Sequence, residues 1–120
     1  MNWSLDKTKP LCPQICEQVC LKIALGEFKP GEKMFSVRET ALNAGVNPNT
    51  VQKAFEKLEQ DAILYSVRGS GWFVCEDISK AQETLENLVY EKTDTYFSSL
   101  NSLGMSNDEI KNYVKEWDNE

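Results

Sequence analysis

Apolar residues recur at three- and four-residue spacing along most of this chain, and give way only once to β-branched and aromatic runs. Ile15, Val19 and Ile23 mark the stripe of a first helix, opened by Pro10 and closed at Gly26. Val37, Ala41 and Leu42 give one apolar face to a second, short helix. Val51, Ala54, Phe55 and Leu58 mark a third, from Pro48 to about Gln60. Ile63-Leu64-Tyr65-Ser66-Val67 and Trp72-Phe73-Val74-Cys75 then read as two strands, with Arg68-Gly69-Ser70-Gly71 as the turn. Helical spacing returns afterwards. Ile78, Ala81, Leu85, Leu88, Val89, Tyr96, Phe97, Leu100 and Leu103 predict one long helix over 78–103, broken by Gly104. Ser106 and Glu109 have the spacing of a capping box for a last helix carrying Ile110, Tyr113, Val114 and Trp117. Trp3 and Leu5 lie in a short arm ahead of the first helix, placed to pack back on the domain or on a partner subunit.

The junction between the second and third helices carries the function. Gly45 stands where a helix commonly ends in a left-handed residue. Val46 plugs the angle between the two helices. Asn47 is a good N-cap, and Pro48 sits where the first helical residue needs no N–H. With the inner face taken by apolar residues, Asn49, Thr50, Gln52 and Lys53 face out. Short polar donors at a helix N-terminus suit a groove of base edges and phosphates. The glycine-tipped hairpin follows, and an Arg beside such a tip fits a narrow minor groove. Helix-turn-helix followed by a wing is a shape for reading double-stranded DNA. The expected fold is mostly α with a small β-hairpin: a winged helix-turn-helix domain over 1–77, then a two-helix C-terminal dimerisation tail over 78–120.

These residues resemble the GntR family of bacterial transcription regulators over roughly residues 10–77. The resemblance rests on Pro10, the linker Gly26-Glu27-Phe28-Lys29-Pro30-Gly31-Glu32, and Ser36-Val37-Arg38. It continues in Val46-Asn47-Pro48-Asn49-Thr50-Val51, Leu58-Glu59 and Gly69-Ser70-Gly71-Trp72-Phe73-Val74. It implies Arg38, Asn49, Thr50, Lys53, Arg68 and Gly69 as residues facing operator DNA. Asn47 at the turn and Ser70 and Gly71 at the tip complete the candidate set. Four features depart from the family pattern. Met34-Phe35 replaces Leu-Pro, and Thr40 replaces Leu. Val67 stands where a basic residue is common, which weakens phosphate contact in the wing. Ala62 stands where Gly usually ends the recognition helix. There a left-handed Ala costs about 1 kcal/mol more than Gly, unless the helix ends differently at Asp61. The short tail is similar to that of the YtrA-like branch, which implies dimerisation through two C-terminal helices.

Charge changes the picture less than its total implies. The net charge is −6, but residues 1–78 hold 9 basic and 10 acidic side chains, and residues 79–120 hold 4 and 9. The acidity is in the tail. The winged part is still not basic, so nonspecific affinity for DNA is modest and binding depends on a homodimer with a few well-placed contacts. Leu85, Leu88, Tyr96 and Phe97 are the candidate dimer contacts, because two helices cannot bury all of the tail's apolar groups against each other. Cys12, Cys16 and Cys20 lie at i, i+4 and i+8 with no His and no Cys-x-x-Cys pair, so small buried hydrophobes are expected in preference to a soft-metal or redox site. No metal and no cofactor are expected. No run approaches the roughly 18 apolar residues of a membrane span, and the N-terminus lacks a signal-peptide pattern, so a cytoplasmic protein is expected. No nucleophile pair or carboxylate cluster points to an enzyme. The expected function is a sequence-specific repressor on a palindromic operator, open to an unknown small-molecule effector. The alternative is a protein–protein interaction module on the same scaffold, which would show no salt-dependent affinity for any duplex.

Overall fold

The computed structural model describes residues 2–117. They form α1 Leu11–Ala24, α2 Val37–Ala44, α3 Pro48–Gln60, strands β1 Leu64–Val67 and β2 Gly71–Val74, then α4 Ser79–Asn101 and α5 Asn107–Glu116. One compact unit runs to Leu85 and a second begins at Glu86.

In the first unit, α1 buries Ile15, Val19, Cys20 and Ile23. Its outer face holds the N-terminal arm. Gln14 accepts from the Asp6 N–H at 2.7 Å and donates to the carbonyls of Asp6 and Pro10, each at 2.9 Å. One turn on, Gln18 accepts from the Ser4 N–H at 3.0 Å and donates to the Ser4 carbonyl. The arm's backbone polar groups thus find partners off the regular elements, as ordered chain requires. Trp3 and Leu5 pack against the core, and the Lys22 ammonium lies 5.4 Å from the Trp3 ring centroid. Of the two options for the arm, packing back on its own domain is the observed one.

Helix α2 opens with a capping box: Ser36 Oγ accepts from the Glu39 N–H at 3.0 Å, and the Glu39 carboxylate accepts from the Ser36 N–H at 3.1 Å. Its buried face differs from the expected one. Thr40 and Ala41 are buried, while Leu42 is 83% exposed. Val37 and Ala44, both half-buried, complete an inward stripe at 37, 40, 41 and 44. That stripe obeys helical spacing, and Leu42 falls outside it.

Helix α3 is capped by Asn47, whose Oδ1 accepts from the Asn49 N–H at 2.8 Å, and it buries Val51, Ala54, Phe55 and Leu58. It ends in a Schellman motif. The Ile63 N–H reaches the Leu58 carbonyl at 2.9 Å, and the Ala62 N–H reaches Glu59 at 3.1 Å. Ala62 therefore does take the left-handed position, with φ 61°.

The hairpin pairs Leu64 with Val74, Tyr65 with Phe73, Ser66 with Trp72 and Val67 with Gly71. Gly71 thus belongs to the return strand, and the loop is Arg68–Ser70. The linker adds a further stretch to this sheet. Lys33 bridges Phe73, the Val74 N–H donates to the Glu32 carbonyl at 2.9 Å, and the Met34 N–H donates to the Trp72 carbonyl at 2.8 Å. Ala81, in the first turn of α4, is buried in the same core as α1, α3 and the hairpin.

In the second unit, Ser106 caps α5 by the expected box with Glu109. Asn101 Nδ2 donates to the Met105 carbonyl at 2.8 Å and to Asn107 Oδ1 at 3.1 Å, which fixes the connecting turn. Ile78 precedes the long helix, and Leu103, 77% exposed, lies in the turn after it. Ile110 is fully buried, whereas Val89, Tyr90, Tyr96, Tyr113, Val114 and Trp117 are exposed.

The four thiols are free, and no metal-holding cluster occurs among the described residues. Cys20 is buried, Cys16 is half-buried, and the Cys16 Sγ lies 3.5 Å from the Ala54 carbonyl. Burial, with the neighbouring Cys12 and Cys20 thiols, pushes the Cys16 thiol up to about 12. Such a thiol behaves as a packed hydrophobe and not as a nucleophile. No helix among the described residues is long and apolar enough to cross a membrane.

Candidate nucleic-acid interface

The proposed face is built on two rigid joints. Gly45, with φ 70°, turns the chain between α2 and α3, and Val46 packs half-buried against the core. This brings Arg38 of α2 and Asn47 of the turn to one shallow cleft of about 420 Å³, shared with Leu42 and Pro48. Asn49, Thr50 and Lys53 occupy the first two turns of α3. Asn49 and Lys53 are exposed and Thr50 is half-buried.

The second joint holds the wing to α3. The Phe55 and Trp72 rings meet edge to face at 5.7 Å. The Glu59 carboxylate accepts from both the N–H and the hydroxyl of Ser66, at 3.0 and 2.8 Å. The tip is thereby carried on a strand pair fixed to the helix at two points. Tyr65 and Phe73 stack across the two strands at 5.5 Å. Arg68, Gly69 and Ser70 are exposed in the loop, and Gly71 is exposed where the return strand begins. At Gly69 φ is 81°, and a Cβ there would meet nothing within 4 Å. The requirement for glycine comes from the backbone, not from crowding.

The electrostatics fit an anionic partner. Among the described residues, Arg38, Lys53 and Arg68 enter no ion pair, whereas Lys9, Lys22, Lys57 and Lys80 do. The structure thus groups Arg38 with Asn47 in the cleft, sets Asn49, Thr50 and Lys53 along α3, and collects Arg68 to Gly71 on the wing.

Two surface features escape sequence reasoning. Leu42 adds an apolar side chain to the cleft beside Arg38. Lys33 lies beside the wing, its Cε 3.7 Å from where a Gly71 Cβ would be. No local period marks Lys33, because its pairing partner is 40 residues away in sequence.

Comparison with known proteins agrees with this architecture. Residues 12–74 match the model of the bacterial regulatory proteins of the gntR family. The HTH-type transcriptional repressor YtrA of Bacillus subtilis is 32% identical over 111 residues, covering 89% of this chain and 83% of that protein. A GntR family transcriptional regulator from Listeria monocytogenes superposes with a TM-score of 0.83 at 32% identity, covering 95% of this chain and all of that one. The DNA-binding domain of AraR, solved in complex with operator ORX1, superposes with a TM-score of 0.54 at 30% identity, over 62% of this chain and 92% of that one. The chain belongs to the gntR family of bacterial regulatory proteins, in the short-tailed branch that includes YtrA.

Proposed function

We propose that this protein is a cytoplasmic homodimeric repressor that binds a palindromic operator in double-stranded DNA. Arg38, Asn47, Asn49, Thr50 and Lys53 address the major groove and its phosphates, and Arg68 with Gly69, Ser70 and Gly71 addresses the adjoining groove. The observation that carries the reading is the attachment of the wing to α3 through Phe55–Trp72 and Glu59–Ser66, which holds two DNA-reading elements in one fixed arrangement. A preorganised pair loses little freedom on binding.

The second unit supports self-association. Its described residues bury Ile110 completely and leave seven large apolar side chains exposed. Segments below about 40 residues usually need a partner to be stable. A second copy contacting Leu85, Leu88, Tyr96 and Phe97 supplies it, and a symmetric dimer asks for a symmetric site.

Selection of bound duplexes from random DNA, at a stated salt concentration, tests the reading. Arg38→Ala and Lys53→Ala should then weaken binding with the melting temperature unchanged. Loss of a phosphate contact lowers affinity for all sequences and flattens the salt slope, and loss of a base contact costs about 1–3 kcal/mol at one position. Full affinity in both variants rules this face out. For the tail, the cut belongs after Leu85 and not after Ile78, because Ala81 is part of the first unit's core. A chain ending at Leu85 should sediment as a monomer and lose most operator affinity, by about 10²–10⁴ if avidity supplies it.

A further inference from the structure

The second unit carries a groove of about 580 Å³ that the DNA reading leaves unused. Tyr96, Phe97 and Val114 line it together with Lys92, Lys111 and Lys115. The clustering of charge is the informative part. Residues 79–120 hold only 4 basic side chains against 9 acidic ones, and three of the four line this groove. The fourth, Lys80, pairs with Glu83 at 3.8 Å. Lys92, Lys111 and Lys115 enter no ion pair among the described residues.

That arrangement opposes the local chemistry. Lys111 and Lys115 are four apart on α5, a like-charge spacing that costs a helix about 0.2–0.5 kcal/mol. Acidic neighbours abound in the tail, yet none of the described ones neutralises these three. An apolar groove lined by three lysine side chains without ion-pair partners among the described residues fits a ligand with an apolar body and an anionic head. The Tyr96 and Phe97 rings, edge to face at 6.2 Å, offer an aromatic corner for the body. A neutral apolar ligand leaves the three charges unmatched, and a compact inorganic anion leaves the rings unused.

We propose that this groove binds a small amphipathic organic anion. Binding itself does not depend on the repressor reading. The regulatory consequence does, since Tyr96 and Phe97 are also assigned to self-association, and a ligand seated on them shifts that equilibrium.

The test uses the full chain and 1-anilinonaphthalene-8-sulfonate, followed by fluorescence, with octanoate, octanol and octylamine as competitors. The expected result is saturable binding, displaced by octanoate at least about tenfold more readily than by the other two, a difference of about 1.4 kcal/mol. Lys111→Glu with Lys115→Glu should weaken the dye at least about tenfold with an unchanged circular dichroism spectrum, while the double Lys→Arg variant keeps its affinity. Octanol competing as well as octanoate overturns the proposal without recourse to any variant. So does unchanged binding by the charge-reversed protein. Absence of dye binding, with sedimentation showing that the same reversal breaks a dimer, assigns the groove to a second copy and also overturns it. Octanoate binding by a protein that selects no duplex would leave the site standing and remove the repressor reading.

Discussion

The ammonium of Lys7 donates to the carbonyl of Gly45 at 2.8 Å, across 38 residues of sequence. Gly45 is the C-cap of α2, where the carbonyls lack helical partners and the helix dipole is negative. The N-terminal arm therefore reaches the helix-turn-helix corner itself. Lys7→Met should lower stability by roughly 0.3–1 kcal/mol, the range for an exposed cation at a helix C-terminus. Urea unfolding reads this as a lower midpoint with an unchanged slope. An unmoved midpoint means the arm decorates the corner without holding it.

Thr40 is fully buried, and its hydroxyl has no hydrogen-bond partner among the described residues. An unsatisfied buried hydroxyl costs about 1–3 kcal/mol. Val has nearly the same shape and a similar helix propensity. Thr40→Val should therefore raise stability, by about 1 kcal/mol. A loss on substitution would show that the hydroxyl is satisfied in solution, for instance by a buried water.

Ala62 holds φ 61° at the end of α3. The left-handed conformation costs an L-residue about 1–2 kcal/mol, and glycine's greater freedom in the unfolded chain returns part of that. Ala62→Gly should stabilise by up to about 1 kcal/mol and leave DNA affinity unchanged. Chemical denaturation and a gel-shift titration, run side by side, separate the two effects.

The Cys16 thiol, held near 12 against an ordinary 9.0, ties stability to alkaline pH. The folded state favours the neutral thiol. Its contribution is complete below about pH 9 and is lost as pH rises from there towards 12. Cys20, pushed up by burial to about 11, acts in the same direction. Denaturation midpoints should fall above pH 9, and fall less steeply in Cys16→Ala. Thiol reagents at pH 8 should label both residues far more slowly in the native protein than in urea. Equal labelling rates would place these thiols on an open surface.

What was legible in the sequence was local. The bounds of α3 follow from Asn47, Pro48 and four apolar residues at helical spacing. Gly45 announces its own backbone, and Ser106 with Glu109 announces the last helix. Helix α2 is harder. It has eight residues, little more than two turns, and a polar Thr40 takes an inward place while Leu42 goes outside. Two turns hold too few apolar residues to fix a face by pattern alone. The Lys33–Phe73 bridge and the Lys7–Gly45 bond join residues 40 and 38 apart, and neither leaves a local period to read. The loop is one residue shorter than the turn read from Arg68 to Gly71, because glycine serves equally at the loop and at the first strand pair. Of the candidate interface, residue types and order were readable. The joints that fix the wing to α3, Phe55–Trp72 and Glu59–Ser66, depend on packing.

Ala81 closes the core of the winged unit from the first turn of α4. During synthesis, then, the recognition helix and the wing emerge before the chain can bury them fully. A product stopped at Val74 would keep every side chain assigned to DNA and lack one wall of the core that holds them in place. Partly folded chains of that kind expose apolar surface and fall to aggregation or proteolysis. Translation as far as the first turn of α4 thus completes the core on which the wing and α3 are seated.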